Sequence, residues 1–105
     1  MEISLARSDR PGKKFRVSII ENGRTKTIYF GQSGAMDFIK WSGIDTKKAL
    51  ERRTNYINRH KARENWTMSG IKTAGFWAKH ILWNEPTLSQ SIKDTERRFG
   101  IKIKN

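Results

Sequence analysis

Two groups of residues between positions 45 and 64 have types and spacing that suit chemistry. Wound as a helix at 100° per residue, Lys48, Arg52, Arg59 and Arg63 fall within about 60° of one another. That basic stripe would run about 22 Å at 1.5 Å per residue and could follow a phosphate backbone. Arg53, His60 and Glu64 fall on a different side, with Leu50 and Ile57. His60 and Glu64 are four residues apart, so their side chains are neighbours. The three could form an acid–base site with an arginine for an anion. They lack a nucleophile and a second metal ligand, and buried charges in folds are usually paired. The preferred reading is therefore a structural polar network, in which Arg53 and Glu64 tie the helix to other elements. The plain alternative for the stripe is a solvated helix face.

The elements that must position these residues are legible in the pattern. Phe15, Val17 and Ile19 alternate with Arg16, Ser18 and Ile20, as a half-buried strand does. Asn22-Gly23 then marks a tight hairpin, because both residues tolerate positive φ. Thr25 to Phe30 is the return strand, and Glu2 to Arg7 is a third, edge strand. Ser8 to Lys14, with its Pro-Gly pair, reads as a turn. Gly31-Gln32-Ser33-Gly34 could cradle a phosphate, but it lacks the Lys-Ser/Thr of a P-loop and reads as a turn ending the sheet.

A short helix is expected from Ala35 to Trp41, closed by Gly43. Asp45 suits the N-cap of a long helix from Thr46 to about Glu64, with Ala49, Leu50, Tyr56 and Ile57 toward the core. Thr73 can cap a helix through Trp83 that is apolar almost all round, the mark of a buried centre. Gly75 in it implies close approach of a neighbouring element. Thr87 and Gln90 have capping-box spacing for a last helix that ends at Gly100. There Leu88, Ile92, Thr95 and Phe99 form one stripe, with Lys93, Asp94, Glu96 and Arg97 away from it. The expected fold is a single α+β domain over residues 1–105: a small antiparallel sheet, a hairpin or three-stranded meander, then three to four helices.

Charge points to the partner. Lys and Arg number 22 against 10 Asp and Glu, a net of +12 in 105 residues. Residues 1–30, 45–64 and 66–105 each hold 7 basic and 3 acidic groups, so the excess belongs to the folded body and not to a tail. A surface that is positive throughout favours a polyanion, most simply nucleic acid. There is no cysteine, hence no disulfide, thiol chemistry or Cys-based zinc site. His60 and His80 do not have metal-motif spacing, and neither a metal nor a cofactor is expected. No apolar run approaches the 18 or so residues of a membrane span, and the first residues do not read as a signal peptide.

Three strings carry a resemblance. They are Asn22-Gly23-Arg24-Thr25-Lys26-Thr27-Ile28-Tyr29-Phe30-Gly31; Tyr56, Arg59-His60 and Glu64-Asn65-Trp66; and Gly70 to Trp77 with Leu82-Trp83-Asn84-Glu85-Pro86-Thr87-Leu88. From about Lys14 to Phe99 the chain resembles small, basic, uncharacterised proteins of large double-stranded DNA viruses of algae and amoebae. The resemblance implies a context and no residue roles: a viral genome, the cytoplasm or nucleus of an infected host, and a place in the virion.

The expectation is a non-enzymatic, sequence-independent protein that binds or packages nucleic acid, with viral DNA favoured. Lys48, Arg52, Arg59 and Arg63 would be the main contacts, with Arg10, Lys13 and Lys14 as helpers. The alternative is a virion structural component, a minor capsid or scaffold protein whose basic surface docks acidic capsid proteins. A nuclease using Arg53, His60 and Glu64 ranks last, because no metal-binding carboxylate cluster is visible.

Overall fold

The computed structural model describes all residues 1–105. Strands β1 (Glu2–Arg7), β2 (Lys13–Glu21) and β3 (Arg24–Gln32) form an antiparallel meander. Asn22 and Gly23 join β2 to β3 with φ of 54° and 75°, the two positive values of a type I′ turn. The predicted sheet gains one strand: β4 (Ile103–Lys104) pairs parallel to β1, giving the order β3-β2-β1-β4. Two residues are too short to show alternation, so β4 leaves no trace in the sequence pattern.

The helices are α1 (Phe38–Ser42), α2 (Thr46–His60), α3 (Ala74–Trp77) and α4 (Leu88–Phe99). Asp45, Thr73 and Thr87 cap α2, α3 and α4 with their side chains, and Gly100 closes α4 in the left-handed conformation at φ 64°. The fold is α+β, as the pattern of elements implies.

One face of the sheet supplies Ile3, Leu5, Phe15, Val17, Ile19, Ile28 and Phe30 to the core. Phe76, Trp77, Ile81 and Leu82 from α3 and the turn after it, with Ile92 from α4, lie over that face. Fully burying one such side chain contributes about 1.5–3 kcal/mol, so this layer dominates stability. The segment predicted as one helix from Thr73 to Trp83 changes winding on the way. After α3, Ala78–Leu82 form a π-helical turn, and Trp83 N–H bonds the Ala78 carbonyl at 3.2 Å. The extra residue rotates the chain beyond it by about 100° and brings Trp83 out beside α2.

Four expectations need correction. Helix α2 ends at His60, not near Glu64. The chain turns there so that Trp66 can stack near Tyr56 and offer its carbonyl to His80, and these tertiary contacts outweigh helix propensity. Leu50 is 47% exposed, because the face that packs is the narrow Ala49–Arg53–Tyr56–His60 line. Asp94, expected to face away, is buried and receives Asn84 Nδ2 at 2.8 Å and both Arg97 and Arg98. The short helix α1 starts three residues later than expected, at Phe38, where the buried Asp37 side chain caps it by accepting the Lys40 N–H at 2.9 Å.

Candidate nucleic-acid interface

The basic flank of α2 faces a groove. Lys48, Arg52 and Arg59 sit on that flank, and at 100° per residue Asn55 falls on the same flank. Across from them stand Trp41 of α1 and Trp83. Met36, Trp41, Arg52, Asn55, Arg59 and Trp83 enclose a groove of about 320 Å³ with no acidic residue in its lining. Lys48 Nζ and the Arg52 guanidinium both lie 5.6 Å from the Trp41 ring centre. Those cation–π contacts hold the two charges at the rim without neutralising them.

The wall behind Trp83 is an aromatic column. Trp83 stacks on Tyr56 at 4.6 Å with the rings only 7° from parallel, and His60 lies 4.4 Å from the same tyrosine. Burial first, then the nearby Glu64 charge, push the Tyr56 phenol up to about 12, so the ring is a neutral stacking surface near pH 7. Trp83 keeps part of its surface open to the groove.

The residues singled out in the sequence fare differently. Arg52 and Arg59 line the groove, and Lys48 stands at its Trp41 side. Arg63 is exposed in the turn beyond α2, so the predicted stripe loses its last member and shortens to about 16 Å. Lys14 is not available as a phosphate contact: its Nζ lies 2.6 Å from the Asp37 carboxylate and 2.6 Å from the Ala35 carbonyl, with the side chain 10% exposed. Arg10 is exposed and stacks 4.1 Å over Tyr29, whose hydroxyl donates to Asp9. That hydroxyl, before any other cause, holds the Asp9 carboxyl below its ordinary value. Lys13 is exposed beside Arg7, Lys40 and Ser33.

The side chains of Arg53, His60 and Glu64 make no hydrogen bond or ion pair with one another; the Glu64 N–H bonds the His60 carbonyl at 3.2 Å only as part of the turn that follows α2. The Arg53 guanidinium lies over Phe38 at 4.3 Å and donates to the Asn84 carbonyl at 2.7 Å, tying α2 to α1 and to the segment before α4. The Glu64 carboxylate fills the space a side chain would need at Gly75, which is the close approach that glycine permits. Arg53 and Glu64 thus spend their side chains on partners outside the trio, and no hydrogen bond orients His60 as a paired acid or base. Nowhere do three or more His, Cys, Asp or Glu side chains converge as a metal site would need. No helix is long and apolar enough to cross a membrane.

Elsewhere the positive surface is largely uncompensated. Only Lys14, Lys72, Arg97 and Arg98 lie within 4.0 Å of a carboxylate oxygen.

Residues 3–60 match the model of a family of unknown function, DUF5754. The matched region holds the meander, α1 and all of α2, and so both walls of the groove except Trp83. No curated protein and no solved structure matches the chain.

Proposed function

We propose, for a chain that belongs to the family of unknown function DUF5754, a non-enzymatic role: it binds nucleic acid without reading sequence, through the groove between α2 and Trp83. The observation that carries this reading is the lining of that groove. It joins two arginines to two tryptophans and has no carboxylate. Cations alone would fit any polyanion; indole faces between them fit a ligand that is charged on one side and aromatic on the other. Stacking of a base on an aromatic side chain contributes about 1–3 kcal/mol and tolerates any base. A duplex keeps its base faces inside the stack, so the arrangement favours an unpaired strand. Arg52 and Arg59 would take phosphates, Lys48 would assist, and Trp41 and Trp83 would receive bases. Asn55 can hydrogen-bond a base edge. The resemblance to proteins of DNA viruses makes viral DNA the expected natural ligand.

Tryptophan fluorescence tests this directly. Adding a 12-nucleotide single-stranded DNA should quench the emission of the native protein in a saturable way, and a duplex of equal length should bind less tightly. Arg52→Gln with Arg59→Gln should weaken binding by about a hundredfold, at roughly tenfold for each charge-assisted contact. An affinity unchanged in that double variant refutes the assignment of the groove.

A further inference from the structure

A second concavity lies on the other side of Lys14, where the ends of β1 and β3 meet the start of β2 and α1. Its lining is Arg7, Ser8, Lys13, Lys14, Ser33, Gly34 and Lys40, about 290 Å³ with no apolar and no acidic member. Of its four cations, Lys14 is neutralised by Asp37. Arg7, Lys13 and Lys40 have no carboxylate within 4.0 Å. Three unpaired like charges around one hollow repel each other, and the fold places no acid there to relieve them. The Ser33-Gly34 turn forms part of the wall. Gly34 has φ +81° and its N–H bonds no other main-chain group, leaving a free donor beside the Ser33 hydroxyl.

We infer that this hollow is a phosphate site, with Arg7, Lys13 and Lys40 as the charges and the Ser33-Gly34 turn as the neutral donors. The guanidinium of Arg7 can meet two phosphate oxygens at once, and the two ammonium groups supply point charges at the rim. The attraction comes from side chains and not from α1, which is five residues long and has its capping N–H occupied by Asp37. Lys14 lines both this hollow and a neighbouring cavity of about 360 Å³ that also contains Arg59 and Trp83. A phosphate held here is therefore close to the α2 groove. The site does not require the α2 groove to bind nucleic acid, since its phosphate can be that of a strand or of a small phosphomonoester.

The test is a titration of the isotopically labelled protein with inorganic phosphate at constant pH and ionic strength, followed by amide NMR shifts. The Ser33 and Gly34 signals should move to saturation in the native protein and in the Arg52→Gln/Arg59→Gln variant. In Lys13→Gln/Lys40→Gln, whose replaced side chains are exposed, the apparent Kd should rise about tenfold or more while the remaining spectrum stays in place. Phosphate shifts that do not saturate, or that persist unchanged in that variant, overturn the site. Oligothymidylate with and without a 5′-phosphate then identifies the source. Movement of the same two amides by the strand, reversed by inorganic phosphate, assigns the site to nucleic acid; movement by inorganic phosphate alone assigns it to a small phosphoanion.

Discussion

Protonation of one buried histidine should set the acid stability of this protein. His80 is 2% exposed, with Phe76 and Phe99 rings centred 4.5 and 4.8 Å away. Its Nε2 donates to the Trp66 carbonyl at 2.9 Å, and its Nδ1 is buried with no partner. A second proton would create an N–H with nothing to receive it. Burial lowers the His80 pKa from 6.5 to about 4; the bond to the Trp66 carbonyl opposes it next in size, and the Lys79 and Arg98 charges lower the value further while Asp94 raises it. The unfolded chain therefore takes up this proton before the folded one does. Stability is complete above pH 6.5 and falls as pH drops toward 4. One unit of pKa corresponds to about 1.4 kcal/mol, so the full loss is about 3 kcal/mol, about 2 of it reached by pH 5. Asp9 and Asp94 are both held below 3.8 and add their losses only in stronger acid. Urea unfolding followed by tryptophan fluorescence at pH 8 and pH 5 measures the effect. In His80→Gln, whose amide can still donate to Trp66 but does not titrate, most of the 2 kcal/mol difference should vanish. An equal loss in both proteins would refute the reasoning.

Other substitutions probe the scaffold. Asp37→Ala removes both the cap on Lys40 N–H and the partner of the partly buried Lys14, and should cost about 3 kcal/mol in chemical denaturation. Asp37→Asn keeps the cap and should cost less. Gly70→Ala would drive its new methyl into the Asn65 carbonyl oxygen, a main-chain atom that cannot swing aside, and should lower stability by about 2 kcal/mol in the same assay. Gly75→Ala meets only the end of the flexible Glu64 side chain and should be much milder. Arg63→Ala, outside the groove, should leave single-strand affinity within about twofold, whereas Arg52→Ala should weaken it about tenfold.

The meander, the hairpin turn and the helix caps were legible because each rests on local chemistry: alternation in β2, Asn22-Gly23 at positive φ, and Asp45, Thr73 and Thr87 as N-caps. The basic flank of α2 was legible from spacing alone. The groups opposite it were not. Trp41 and Trp83 are among eleven aromatics; Trp41 reaches the groove through the packing of α1 on α2, and Trp83 only through the path of the chain after the π-helical turn. The fate of Lys14 depends on Asp37, 23 residues away, a pairing that no periodicity encodes. The hollow was harder still. Its charges come from β1, β2 and α1, and Lys40 sits in the one neutral stretch of the chain. The Gly31–Gly34 turn, ordinary as a motif, gains interest only from the cations that the sheet brings around it.

Salt dependence tests the central claim most directly. Binding of a single strand should weaken linearly with the logarithm of salt, by about 0.7 in log K for each phosphate neutralised. Lys48, Arg52 and Arg59 together predict a groove contribution of about −2 to that slope. Replacing Arg52 and Arg59 with Gln should make the slope shallower by about 1.4, measured by fluorescence anisotropy of a labelled strand across a salt series. A slope that stays the same in the variant, or binding that ignores salt altogether, would contradict the account.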